Sequence, residues 1–184
     1  MALKATIFKA ELQIADMDRH YYQDHALTIA RHPSETDERM MMRILAFILH
    51  ASDSLQFGKG LSADDEPDLW QKDLTGAITL WVEVGHPDEK RILKACGRSE
   101  KVFIYSYSNT SHIWWNQISS RIERAKNLTV VNLPSATSLA LAKMAQRNMQ
   151  LQCTIQDGQI WVTANGETVQ IDLTMVKGSA ASLQ

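Results

Sequence analysis

The chain is short of the residues that announce most enzyme classes. It has two cysteines, Cys96 and Cys153, in 184 residues, without CxxC spacing. That excludes a disulfide framework and a thiolate zinc site, and makes a reducing cytosol the simplest setting. HExxH, GxSxG, a GxGxxG after a strand and EF-hand spacing are all missing. The histidines are scattered, and His32 and His86 each precede or adjoin a proline at an element boundary, as surface or capping groups do. Zinc hydrolysis and Ser-His-Asp chemistry are therefore not expected. Gly58-Lys59-Gly60 lacks the first glycine and the Lys-Ser/Thr tail of a P-loop and reads as a turn. Excess charge is missing too. A net charge of −2 gives no global pull toward nucleic acid, so any polyanion site must be a local patch. The N-terminal stretch alternates polar and apolar residues and lacks the apolar block of a signal peptide. The run Ile44 to Leu49 is too short to span a bilayer. A cytoplasmic protein without membrane or small-molecule cofactor is the expectation.

What is present is an ordinary globular composition, 45% hydrophobic and 22% charged, long enough for one domain with a real core. Period-two character predicts strands over 5–15 and 21–30, paired as a hairpin. Pro33-Ser34 opens the clearest helix, with Ser34 as cap, Asp37 at the capping-box position and an end near Ala51. Met41, Ile44, Leu45 and Ile48 form its packed face. Glu35, Arg39 and Arg43 make an i, i+4, i+8 ladder that pairs with itself. Glu38 falls on the edge of the apolar face, reaching either to water or into a polar site. An irregular loop is expected over 53–63.

The stretch 64–94 carries the chemistry. If Thr75-Gly76 is a two-residue hairpin tip, paired positions sum to 151 and Asp68 falls opposite Glu83. Like charges facing each other across neighbouring strands repel, so such a pair calls for a metal ion, a shared proton or a cationic partner. The second hairpin strand is apolar on both faces, which makes it an interior strand and Glu83 a poorly solvated carboxylate. Pro87 opens a helix to about Gly97, with Asp88 and Glu89 favourable to its dipole. Val102 to Tyr105 is the next strand, parallel to the Glu83 strand because a helix connects them. A helix over about 113–125, a strand over 128–132 and a helix from Ser135 to about Arg147 follow. Asp157-Gly158 and Asn165-Gly166 separate three strands of a closing meander, about 149–174, and a frayed tail begins at Lys177.

An all-oxygen donor set of Asp68 and Glu83, with Asp65 and Glu66 upstream, suits Mg²⁺ or Mn²⁺. The blander reading pairs Glu83 with Arg39, Arg43 or Lys94 in a salt bridge. Lys90, Arg91, Lys94, Arg98 and Lys101 form a basic cluster suited to phosphates, or simply a solvated helix face. Of Trp114-Trp115, helical geometry sends one ring to the core and one to a rim.

Pro67-Asp68, fourteen intervening residues and Glu83-Val84-Gly85 resemble the PD-(D/E)XK nuclease signature. The resemblance implies a restriction-endonuclease-like α/β (α+β) fold, a mixed sheet flanked by helices, with a core over about 33–133. It implies that Asp68 and Glu83 bind the metal and that a first-helix acid, Glu38 or secondarily Glu35, joins them. Gly85 departs from the pattern, standing where the lysine belongs. A lysine migrated to the following helix would be Lys90 or Lys94, of which Lys94 is taken as the catalytic candidate, with Arg91 a comparable alternative. Across nearly the whole chain, Ala2-Leu-Lys-Ala-Thr-Ile7, Arg31-His-Pro-Ser-Glu-Thr36, Asp64-Asp-Glu-Pro67, Pro87-Asp-Glu-Lys-Arg91, Ile113-Trp-Trp115 and the segment 152–161 resemble the bacterial YaeQ family. The expectation is a single domain over 1–184 acting as a metal-dependent phosphodiesterase or nuclease-like protein. Lys90, Arg91 and Arg98 would contact nucleic acid. The alternatives are an inactive nuclease fold that binds nucleic acid or a transcription component, and a protein-interaction module.

Overall fold

The computed structural model describes residues 3–178. It is a mixed α+β architecture with two mixed sheets and accompanying helices. The described residues form two compact units, one of 3–41 and 136–172, the other of 42–135 and 173–178.

The first unit holds a five-stranded sheet. β1 (Thr6–Asp16) and β2 (Tyr21–Arg31) form the expected antiparallel hairpin. β8 (Asn148–Gln156), β9 (Gln159–Ala164) and β10 (Glu167–Ile171) form the expected meander. Asp157 and Asn165 have positive φ and are followed by Gly158 and Gly166, as tight hairpin turns require. β8 pairs parallel with β1, so the order is β10-β9-β8-β1-β2. Alternation is strict: Phe8, Ala10, Leu12 and Ile14 are buried while Lys9, Glu11 and Gln13 are exposed. α4 (Ser135–Ala142) is a turn and a half shorter than its sequence pattern suggested.

The second unit holds a six-stranded sheet, ordered β11-β7-β6-β5-β4-β3. Its strands are β3 (Leu55–Phe57), β4 (Leu69–Lys72), β5 (Ile78–Val84), β6 (Ser99–Tyr107), β7 (Leu128–Leu133) and β11 (Thr174–Lys177). β5 and β6 run parallel as expected, and β7 joins them in parallel; α2 (Glu89–Arg98) and α3 (Ser111–Ile122) make the connections. One side of this sheet packs Trp81, Val102, Ile104 and Val130 against Ile92 and Ala95 of α2 and Trp114, Ile118 and Ile122 of α3. α1 (Asp37–His50) is buried around most of its circumference, at Met40, Met41, Met42, Ile44, Leu45, Ala46, Phe47 and Ile48.

Four sequence expectations are corrected. The cap of α1 is Thr36, whose Oγ1 accepts from Arg39 N at 3.1 Å; Ser34 bonds His32 instead. The loop over 53–63 contains β3, which is too short to show periodicity. Lys177 ends strand β11, paired with β7, and its Nζ bonds Ala125 O at 2.8 Å; the rest of the proposed tail, 179–184, lies outside the described residues. Finally, the β4–β5 tip is not a two-residue turn. Asp73 N bonds Ala77 O at 2.9 Å, and the Asp73 carboxylate accepts from Thr75 N, Thr75 Oγ1 and Ala77 N. A bulge between Gln71 and Lys72 then restores a sum of 151 for Leu69↔Val82, Trp70↔Trp81 and Gln71↔Leu80. The register was right although the turn was not.

Candidate functional site

Asp68 stands immediately before β4 and is 1% exposed. Its main-chain carbonyl accepts from Gly58 N at 3.0 Å, while its carboxylate Oδ2 accepts from Val84 N at 2.8 Å. The ladder between main chains therefore ends at Leu69, and one step further a side chain takes over the strand bond. Gly58 and Gly60 are explained by this approach. A Cβ on Gly58 would lie 2.2 Å from Pro67 O, and one on Gly60 (φ +49°) 2.7 Å from Asp68 Oδ1.

Glu83 sits at the C-terminal end of β5 and is 4% exposed. Its Oε1 accepts from Trp81 Nε1 at 2.9 Å and from Arg91 Nε at 2.8 Å. Its Oε2 takes no hydrogen bond among the described residues. Burial, and then the negative charge of Asp68, push the Glu83 carboxyl up to about 7; Arg91 and Trp81 act in the opposite sense. Asp68 and Glu83 thus feel each other inside the fold, and Glu83 can gain or lose a proton near neutrality.

Arg91 is the cation that completes the arrangement. Asp88 caps α2 by accepting from Arg91 N at 2.8 Å, which fixes the first turn and aims the side chain at β5. Besides Glu83, the guanidinium reaches Asp64 O (Nη1, 3.0 Å) and Glu66 O (Nη2, 2.9 Å). Arg91 thus holds the acidic segment by its carbonyls. Arg98 does the same at Asp65 O, 3.3 Å, with its guanidinium 5.4 Å from the centre of the Trp81 ring. Asp64 and Asp65 are exposed, and Glu66 Oε2 accepts from Lys59 N at 2.9 Å.

Lys90 and Lys94 are exposed, and neither hydrogen-bonds any described residue. The basic side chain at Glu83 is therefore Arg91, not Lys94. Glu38 accepts from Ser138 Oγ at 2.6 Å, inside the first unit, and Glu35 is ion-paired with Arg39 at 2.9 Å, also there. Trp114 is the core tryptophan, donating to Pro87 O at 2.8 Å, while Trp115 is half-buried. The sequence missed the roles of Trp81 and His86. Trp81 shares a strand face with Glu83, which was a usable signal. His86, stacked on Trp114 with ring centres 5.2 Å apart and bonded to Ser111 Oγ at 2.9 Å, left none.

Comparison with known proteins places this geometry in a family. The YaeQ protein family model matches residues 1–173. The chain belongs to the YaeQ family. It is 49% identical over 175 residues to "Uncharacterized protein YaeQ" of Salmonella typhi, covering 95% of this chain and 97% of that one. Against the Escherichia coli K12 protein of the same name the identity is 46% with the same coverage. The crystal structure of a YaeQ protein from Xanthomonas axonopodis pv. citri matches with a TM-score of 0.91 at 46% identity, covering 95% of this chain and 99% of that one. One from Pseudomonas syringae matches at 0.92 and 35%, covering 95% and 97%. Both solved structures match this two-sheet architecture over 95% of the chain.

The donor set fits a hard divalent cation held by few protein ligands. Two carboxylates plus water or phosphate oxygens are what Mg²⁺ commonly takes. A cation there would offset the burial and the Asp68 charge that raise Glu83, and Oε2 is a carboxylate oxygen that no described group occupies. Among the described residues no group of three or more His, Cys, Asp or Glu is arranged as a metal site, so a third protein ligand is not supplied.

Proposed function

We propose that the protein is a metal-dependent phosphodiesterase of the PD-(D/E)XK type acting on nucleic acid, with Asp68 and Glu83 as the metal carboxylates and Arg91 in place of the motif lysine. The observation that carries this reading is the buried Asp68–Glu83 pair, electrostatically coupled, with Glu83 ion-paired to Arg91. A bound Mg²⁺ or Mn²⁺ would supply Lewis acidity and a more acidic water. The chain's own residues supply the rest. Asp68 is anchored by Val84 N–H. Glu83 can hold or release a proton near neutral pH. Arg91, still about a quarter exposed, offers a planar charge that can turn from main-chain carbonyls to a phosphate oxygen. Lys90, Lys94 and Arg98, all exposed on α2, extend a cationic surface for a phosphate backbone.

One observation favours a second reading. Arg91 already bonds Glu83 and two carbonyls of the acidic segment, a closed clamp that would serve a non-cleaving nucleic-acid-binding or protein-interaction module equally well. Assays of single- and double-stranded DNA and RNA with Mg²⁺ or Mn²⁺, on wild type and Glu83→Ala, separate the two. Cleavage lost in Glu83→Ala and in chelator supports the enzyme. Absence of cleavage together with no calorimetric Mn²⁺ binding at millimolar concentration overturns it. Salt-sensitive DNA or RNA binding without cleavage then supports the non-cleaving binder.

A further inference from the structure

The outward face of the five-stranded sheet in the first unit is built unlike an ordinary solvated face. Register places Tyr22, Ala15, Thr154 and Trp161 in one row across β2, β1, β8 and β9. The next row is Asp24, Gln13, Gln152, Thr163 and, on β10, Thr168. An aromatic ring therefore stands at each end of a row floored by alanine and threonine, with a ladder of amides and hydroxyls beside it; Tyr22 lines a recess in this shallow trough, while Trp161, next to Thr154, lies just outside the recess linings. Two adjoining recesses, of about 780 and 550 Å³, share Gln13, Asp24 and Gln152. Tyr22 is 59% exposed and Trp161 half-buried, so one ring is presented freely and the other is seated.

The polar groups are spaced for a ligand that both donates and accepts. Gln152 Nε2 donates to Gln13 Oε1 at 3.1 Å, which orients both amides and leaves the Gln152 carbonyl and the Gln13 amino group available to a ligand. The hydroxyls of Thr163 and Thr168 are paired at 2.7 Å. The carboxylates of Asp24 and Glu11 are acceptors on the same face. No lysine or arginine lines either recess, which disfavours phosphates and nucleic acid. The apolar side chains of Leu12, Ile14, Leu151 and Cys153 turn inward and are buried, which disfavours a lipid.

We propose that this trough is a binding site for a neutral oligosaccharide, whose C–H faces lie on Tyr22 and Trp161 and whose hydroxyls bond Asp24, Gln13 and Gln152. A polyhydroxyl chain matches it in each respect: it is uncharged, flat-faced, and both donor and acceptor. The site lies wholly within the first unit and is independent of the reading of Asp68 and Glu83.

The test is titration of the full-length protein with maltohexaose, cellohexaose and N-acetylchitohexaose, read by tryptophan fluorescence and by amide chemical shifts. At least one sugar is expected to bind with a Kd of about 1 mM or tighter, shifting resonances on β1, β8 and β9. Gln152→Ala and Asp24→Asn, both at exposed positions, should each weaken it about tenfold while the rest of the spectrum stays unchanged. Trp161→Phe should retain binding with a smaller fluorescence change. The proposal is overturned if none of the three sugars binds at about 10 mM, or if both exposed variants bind as wild type does. Spermine binding in place of sugar would also overturn it, assigning Asp24 and Glu11 to a cation.

Discussion

The two sheets treat polar side chains in opposite ways. In the first, every second residue of β1 and β8 faces water, and Lys9, Glu11, Gln13, Gln150 and Gln152 are exposed. In the second, β5 is buried on both faces at its C-terminal end, from Trp81 to Val84. On the exposed face a charge or amide costs little and needs no fixed partner. On the buried one, Asp68 and Glu83 each require one, and they have Val84 N–H, Trp81 and Arg91. A buried carboxylate so provided for is expensive structure, and that is why the functional reading rests there.

The contrast can be broken from the buried side first. Asp68→Ala leaves Val84 N–H without its acceptor and opens space among packed atoms. A loss of about 3 kcal/mol is expected in urea unfolding. A loss below about 0.5 kcal/mol would mean that the strand bond re-forms through water.

The next effect depends on pH. The Glu83 carboxyl lies near 4.5 when unfolded and is raised to about 7 in the fold, so the folded state holds the proton more tightly. Its contribution to stability is complete below about 4.5 and is lost as pH rises through about 7. The fall is on the order of 3 kcal/mol. Unfolding measured in chelator across that window should show this decline in wild type and lack it in Glu83→Gln. In Arg91→Ala the decline should move to higher pH, because the cation that opposes the shift is gone. An Arg91→Ala curve superimposable on wild type would count against the pair.

Gly58→Ala is expected to cost about 2 kcal/mol, since its Cβ would meet a backbone carbonyl that cannot swing aside. On the open face, Gln152→Ala should change stability by less than about 0.5 kcal/mol. If it costs as much as Gly58→Ala, the two sheets are not as different as their exposure suggests.

Much of this was legible in the chain. Strict alternation in β1, the Asp157-Gly158 and Asn165-Gly166 turns and the Pro87-Asp88-Glu89 helix opening are local signals that depend on neighbours a few residues away, although α2 begins at Glu89 with Asp88 as its cap rather than at Pro87. They gave the first sheet's strands and the start of α2 closely. Asp68 and Glu83 were legible as a pair because register in a hairpin is arithmetic, and the bulge that altered the tip also restored the count. β3, β11 and the true extent of α4 were not legible, since a strand of three or four residues has too few positions to show a period.

What the sequence by itself determined, then, is most of the longer elements, the turns of the closing meander, and the membership in the YaeQ family carried by its motifs. Only the tertiary structure decided which cation meets Glu83. Lys90, Arg91 and Lys94 spread over about 100° of a helical wheel, and the choice falls to Arg91 because α2 is anchored by Asp88 and packed through Ile92 and Ala95. The tertiary structure also placed Tyr22 and Trp161 in one row, although they lie near opposite ends of the chain. The physical reason is the same in both cases: hydrogen bonding and packing along the chain are short-ranged, whereas a site is made by whichever side chains the sheet and its helices bring to one place.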